Sequence, residues 1–151
     1  MISNVYANKI LNHLCGKTDL AQPTYLYIGL CEPEPDSSTG TVSGEPDAPS
    51  YARVLVGGHD QKSYFGGADA GKITNTSEIQ FKTARTAWGV MKYFFLSQTA
   101  NGPAIMWGEL KDLDGNHGVL IDQETVPTFY EGDLVISLDV PLSQGTDEPE
   151  E

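Results

Sequence analysis

The sequence predicts a mainly β fold: an antiparallel β-sandwich or open barrel carrying one short N-terminal helix. Three observations carry that expectation. Six to eight short runs of apolar or alternating residues are separated by turn residues, with no strand–helix–strand alternation. The 151-residue chain has 16 Gly and 9 Pro, enough to punctuate many short strands. Two aromatic-rich runs, Ala87–Leu96 and Ala104–Leu110, flank a polar segment with Asn101-Gly102, a strong hairpin signal. This hairpin holds Trp88 and Trp107, the only tryptophans. Its density of large apolar side chains marks it as the centre of the core.

Taken in order, residues 4–15 read as a helix. Ser3 or Asn4 can cap it, and Val5, Tyr6, Ile10, Leu11 and Leu14 form a broad apolar face. Gly16 stands where a helix end calls for a left-handed residue. So short a helix is marginal alone. It is expected either to cover an open sheet face or to dock on a neighbouring subunit. Tyr25–Leu30 alternates as a strand with apolar or aromatic residues on both faces. Residues 32–50, with Pro33, Pro35, Pro46 and Pro49, read as a long exposed loop. Tyr51–Val56 is a second strand, ended by Gly57-Gly58.

Residues 57–78 are polar and glycine-rich, anchored by Tyr64 and Phe65, and Ile79–Phe81 is a short strand. Beyond the hairpin, Asp112–Asn116 has the composition of a tight turn. Val119–Ile121 is a strand, with Glu124–Val126 pairing next and Pro127–Asp133 turning the chain. In Leu134–Val140 the alternation places Leu134, Ile136, Leu138 and Val140 inward and Ser137 and Asp139 outward. The expected organisation is one domain over 1–142 and an acidic, disordered tail over 143–151.

The formal net charge is −12. That sign opposes direct binding to nucleic acid or to an anionic membrane surface. No run is long and apolar enough to suggest a membrane span, and Ile2–Cys15 carries too many polar residues for a signal peptide. Two cysteines, Cys15 and Cys31, do not make a disulfide framework, so both are expected to be reduced and buried.

Motifs that could carry chemistry are weak. Gly66–Lys72 has the spacing of a phosphate loop, but Ile73 stands where a Ser or Thr should follow, and no helix pattern comes after it. Asp112, Asp114 and Asn116 alternate like a calcium loop, but Gly115 falls at loop position four and Gln123 at position twelve. A turn held by Asx side chains fits them better. His13, His59 and His117 share no ligand spacing, and a zinc site would need them to converge with Cys15 or Cys31. No G-x-S-x-G elbow is present, and the carboxylates that a glycosidase would need lie mainly in loops and tail. Tyr25, Tyr27, Tyr51, Tyr64, Tyr93 and Tyr130 could together offer a sugar-stacking surface, though strand aromatics more often serve core or interface. No catalytic, cofactor-binding or metal-ligating residue is assigned.

Several segments, in order over about residues 5–140, resemble a family of small tailed-bacteriophage virion proteins, usually labelled tail fibre protein or uncharacterised structural protein. They are Leu14–Thr18, Pro23–Leu30, Ser50–Val54, Ile79–Phe81, Ala87-Trp88-Gly89 with the aromatic strand after it, Ile105–Leu110, and Pro127-Thr128-Phe129 leading into Gly132–Leu134. Cys15, where a Leu is common, the 32–50 loop and the acidic tail depart from the pattern. The resemblance implies a virion component without enzymatic activity and without cofactors. It would be a homo-oligomer assembled in the bacterial host cytoplasm, decorating the capsid or forming part of the tail or its fibres. A module binding host-surface carbohydrate is the main alternative, and a hydrolase of surface polymer is a third.

Overall fold

The computed structural model describes residues 1–138. Its strands all pair antiparallel, and its one helix is N-terminal. The main sheet has four strands in the order β2 (Val54–Gly57), β1 (Leu26–Cys31), β6 (Tyr93–Ser97), β7 (Ala104–Glu109). Three two-stranded ladders complete the β structure: β3 (Lys72–Thr74) with β10 (Val135–Ser137), β4 (Ile79–Gln80) with β9 (Thr128–Phe129), and β5 (Gly89–Met91) with β8 (Val119–Ile121).

The expected hairpin forms, with Phe95 paired to Trp107 and Phe94 to Gly108. Its first run is not one strand, however. It changes sheets at Lys92, whose N–H donates to Cys31 O while its carbonyl accepts from Leu110 N. Upstream, β5 joins β8; downstream, β6 lies between β1 and β7. One continuous aromatic run therefore serves two ladders.

Alternation along the main sheet sends side chains to two separate clusters. Ile28, Leu30, Val56 and Leu96 meet Ile79, Phe81, Ala84, Trp88, Met91, Ile121 and Leu134 from the small ladders and their connections. Cys31, Phe95, Ala104 and Trp107 form the other cluster, with Val42 and Tyr93 packed against it. Gly29 has a packing reason: a Cβ there would come within 2.4 Å of the Phe95 ring.

Residues 32–50 are not simply an exposed loop. Pro35, Gly40 and Pro46 are buried. Gly40, at φ +79°, donates its N–H to Asp36 O and accepts from Ala104 N, and a Cβ on it would lie 2.0 Å from Ala104 O. The segment is a lid on the Trp107 cluster.

Helix α1 (Asn4–Leu14) is capped as its sequence anticipates. Ser3 Oγ accepts from Tyr6 N at 3.2 Å. Gly16, at φ +77°, donates to His13 O, and Lys17 N donates to Asn12 O, the paired bonds of a Schellman ending. Residues 1–3 run antiparallel to β7, with Ile2 bridged to Met106 and Ser3 N donating to Ile105 O. The helix buries none of its own residues. Cys15 is exposed, against expectation, because it is the C-cap of this uncovered helix; Cys31 is buried and both thiols are free.

Four other differences stand out. Strand β3, absent from the sequence reading, occupies the end of the 57–78 segment, while Tyr64 and Phe65 do anchor that segment to the core. Glu124 and Thr125 pair with Ala84 outside any regular strand, and the expected 127–133 turn opens with β9. Leu134 is buried as expected, but Leu138 is 65% exposed because β10 ends at Ser137 and Leu138 N bonds to Gly71 O. Asp139, Val140 and the proposed 143–151 tail lie outside the described residues.

Candidate functional site

Gly66–Lys72 is part of a β-hairpin. Asp69 and Lys72 exchange backbone hydrogen bonds around Ala70 and Gly71, both at positive φ, and Gly66 N donates to Thr74 O. The chain that should enter a helix after a phosphate loop enters β3 instead. Asp112 closes an Asx turn: Oδ1 accepts from Asp114 N and Asn116 N at 2.9 and 2.8 Å, and Oδ2 accepts from Asn116 Nδ2. The Asn116 backbone N–H is the first cause holding the Asp112 carboxyl below its ordinary pKa.

The histidines do not converge. His13 Nδ1 accepts from Leu20 N, His59 lies between Gln22 and Asp60, and His117 bonds Lys92 O and sits edge-on to Tyr93. No cluster of three His, Cys, Asp or Glu suited to a metal occurs among the described residues. The tyrosines are dispersed as well. Tyr25 packs against Tyr27, Tyr64 lies under Lys62, and Tyr51 turns inside, stacked on Phe81 and edge-on to Trp88. Strand register and the separate ladders carry them to different faces, so they form no single sugar-stacking surface.

A buried polar centre escaped the sequence reading. The Arg53 side chain is 2% exposed and makes a bidentate pair with Glu45, Nε to Oε1 at 3.0 Å and Nη2 to Oε2 at 2.9 Å. Its Nη1 donates to Ser97 Oγ, Thr99 O and Gly102 O, and its guanidinium lies 4.7 Å from the Phe95 ring centroid. Tyr51 Oη donates to Glu45 Oε1 at 2.7 Å and accepts from Leu30 N at 3.1 Å. Burial, reinforced by Glu45, raises the Tyr51 pKa, and burial pushes the Cys31 thiol up to about 12. Such a thiol is a poor nucleophile. The groups of this centre bond one another and the surrounding backbone, so it clamps the 32–50 lid to the β6–β7 turn.

Among the described residues, the β4–β9 ladder borders an open groove of about 650 Å³. Phe81 and Ser50 line it with Gln80, Lys82, Arg85 and Tyr130. None of its lining residues is acidic. The sequence signal was Lys82-Thr83-Ala84-Arg85, two cations close together in a strongly acidic chain.

The family model for the podophage GP4 fiber I protein gp80 matches residues 1–136. The chain belongs to this gp80 fibre-protein family. It is accordingly a phage fibre structural protein and a component of the virion. No curated protein matches it. The match spans the helix, both clusters and the groove. No helix among the described residues is long and apolar enough to cross a membrane.

Proposed function

We propose that this fibre protein is non-enzymatic and works as a repeated building block. It contacts further copies of itself and other virion proteins at the particle surface. The observation that carries the reading is the uncovered flank of α1. Leu11 and Leu14 are 57% and 73% exposed, while Tyr6, Ala7 and Ile10 are only partly covered. A helix this short draws most of its stability from packing, so its apolar flank asks for a cover from outside its own fold. Charge favours a second copy as that cover. Residues 1–18 hold Lys9 and Lys17 and no acid, whereas the whole chain is at −12. A weakly basic apolar helix complements an acidic body.

Family membership supports a place in the fibre over capsid decoration. The free cysteines, one of them exposed, suit assembly in the reducing host cytoplasm. The main groove has no carboxylate in its lining, which speaks for binding over glycoside hydrolysis. Light scattering tests the reading. The wild type is expected as a discrete oligomer, and Leu11→Ser with Leu14→Ser should shift it towards monomer by tenfold or more in dissociation constant. A wild type that stays monomeric, and whose incorporation into particles survives the double substitution, would defeat it.

A second reading, contact with host-surface carbohydrate, is favoured by the groove at β4–β9.

A further inference from the structure

We infer that the groove beside β4 and β9 is a binding site for an acidic saccharide, one whose sugar ring carries a carboxylate. This deepens the carbohydrate-contact reading and rests on it.

Four features converge there. Lys82 and Arg85 stand exposed at the rim in a chain with only nine Lys and Arg and a net charge of −12. Lys82 makes no ion pair among the described residues, and Arg85 has only a loose one, 3.7 Å from the exposed Glu124. An acidic protein repels anions over most of its surface, so two under-neutralised cations in one concavity make a local exception. A guanidinium also matches a carboxylate in two-pronged geometry.

Tyr130 is 59% exposed although its backbone is firmly held: its N–H donates to Asp133 Oδ2 and its carbonyl accepts from Asn75 Nδ2, both at 2.9 Å. Asn75 is itself buried and spends its Oδ1 on Leu134 N. A ring on so fixed a backbone is a ready platform for the apolar face of a sugar.

The half-buried Ser50 Oγ accepts from Arg85 N and from Trp88 Nε1, each at 3.3 Å. With its lone pairs engaged, the hydroxyl proton is left to donate into the groove. Gln80 and Thr128 also line the walls, with Gln80 Nε2 donating to Glu78 Oε1 and Thr128 Oγ1 to Val126 O. The volume, about 650 Å³, lies within the roughly 300–1,000 Å³ of ordinary ligand sites. Stacking surface, hydroxyl partners and a paired cationic rim are together what a uronate-bearing saccharide requires. A neutral sugar would leave the two cations unanswered.

The test uses the full chain and three immobilised probes: oligogalacturonate, poly(glycerol phosphate), and neutral dextran. The wild type should prefer oligogalacturonate and lose affinity as salt rises. Lys82→Gln with Arg85→Gln should weaken that binding at least tenfold. Lys72→Gln with Lys111→Gln, which removes the same charge at two exposed sites elsewhere, should change it less than twofold. Tyr130→Ala should weaken oligogalacturonate binding about fivefold or more while leaving the melting curve unchanged. Undiminished binding by the Lys82/Arg85 variant would place saccharide contact elsewhere, overturning the groove while sparing the broader reading. Equal binding of poly(glycerol phosphate), indifferent to Tyr130, would reduce the groove to a bare anion site and overturn the inference. Failure of the wild type to bind any probe above dextran would overturn both.

Discussion

Trp88 and Trp107 are both buried, yet they belong to interiors built on different principles. Trp88 lies among side chains gathered from the main sheet and from the small ladders, with Tyr51 edge-on at 5.3 Å between centroids and Phe81 at 6.5 Å. Its indole N–H meets a hydroxyl, Ser50 Oγ. Trp107 lies under the 32–50 lid, and its indole N–H donates to a carboxylate, Glu34 Oε2, at 3.0 Å. Beside it, Arg53 and Glu45 fasten the lid by directional bonds. The first interior is closed by apolar volume from many strands. The second, with far less apolar material, is closed by charge. Apolar burial is non-directional and tolerates repacking, whereas a buried ion pair depends on both partners and on geometry.

Emptying either indole site should have the largest effect. Trp88→Ala and Trp107→Ala are each expected to cost about 3–5 kcal/mol, the usual loss for a core aromatic. Hydrogen exchange then tells the two interiors apart. The first substitution should release amides of β4, β5 and β8, and the second those of 32–45. If both release one common set, the two clusters are a single cooperative unit and the contrast falls.

Next in size is Glu45→Ala. It would strand the Arg53 guanidinium, whose side chain is 2% exposed. Glu45 is itself 26% exposed, so water can partly take its place, and the expected cost is about 3 kcal/mol, the low end for a broken buried pair. Denaturant melts check this. A loss under about 1 kcal/mol, the range of surface ion pairs, would show that the lid is held by packing alone.

The smallest effect sharpens the contrast with a polar cluster that is not interior at all. Asp112 is held below its ordinary carboxylate pKa by hydrogen bonds, chiefly from Asn116 N. A group whose folded pKa is lowered stabilises the fold above its unfolded value, and that contribution fades as pH falls through the folded one. The 111–117 turn should thus stay ordered down to about pH 4 and loosen only below it. Amide shifts of Asn116 report this directly. Loosening that began near neutral pH would contradict the assigned bonds.

Much of the architecture was legible because it is local. Ser3 and Gly16 bracket α1 through bonds within a few residues, Asp112 closes its own turn, and Phe95 finds Trp107 across a short connection. Alternation in Tyr25–Leu30 marked a strand apolar on both faces, and the structure buries Ile28 and Leu30 in the larger cluster. The groove was only half legible. Lys82 and Arg85 stand close in sequence, but Ser50 and Tyr130 reach them from far along the chain. The dispersed tyrosines show the same limit, since composition counts side chains but not the faces they occupy.

The sequence by itself settled the class of fold, the strands flanking the central turn, the helix ends and the acidic character. Each follows from short-range backbone preference, residue period or plain counting. Only the tertiary structure decided that one aromatic run divides at Lys92 between two ladders, that residues 32–50 close over Trp107, and that Arg53 turns inward to meet Glu45, Thr99 and Gly102. Those outcomes depend on partners distant along the chain, and a buried charge becomes affordable only where several such partners arrive together.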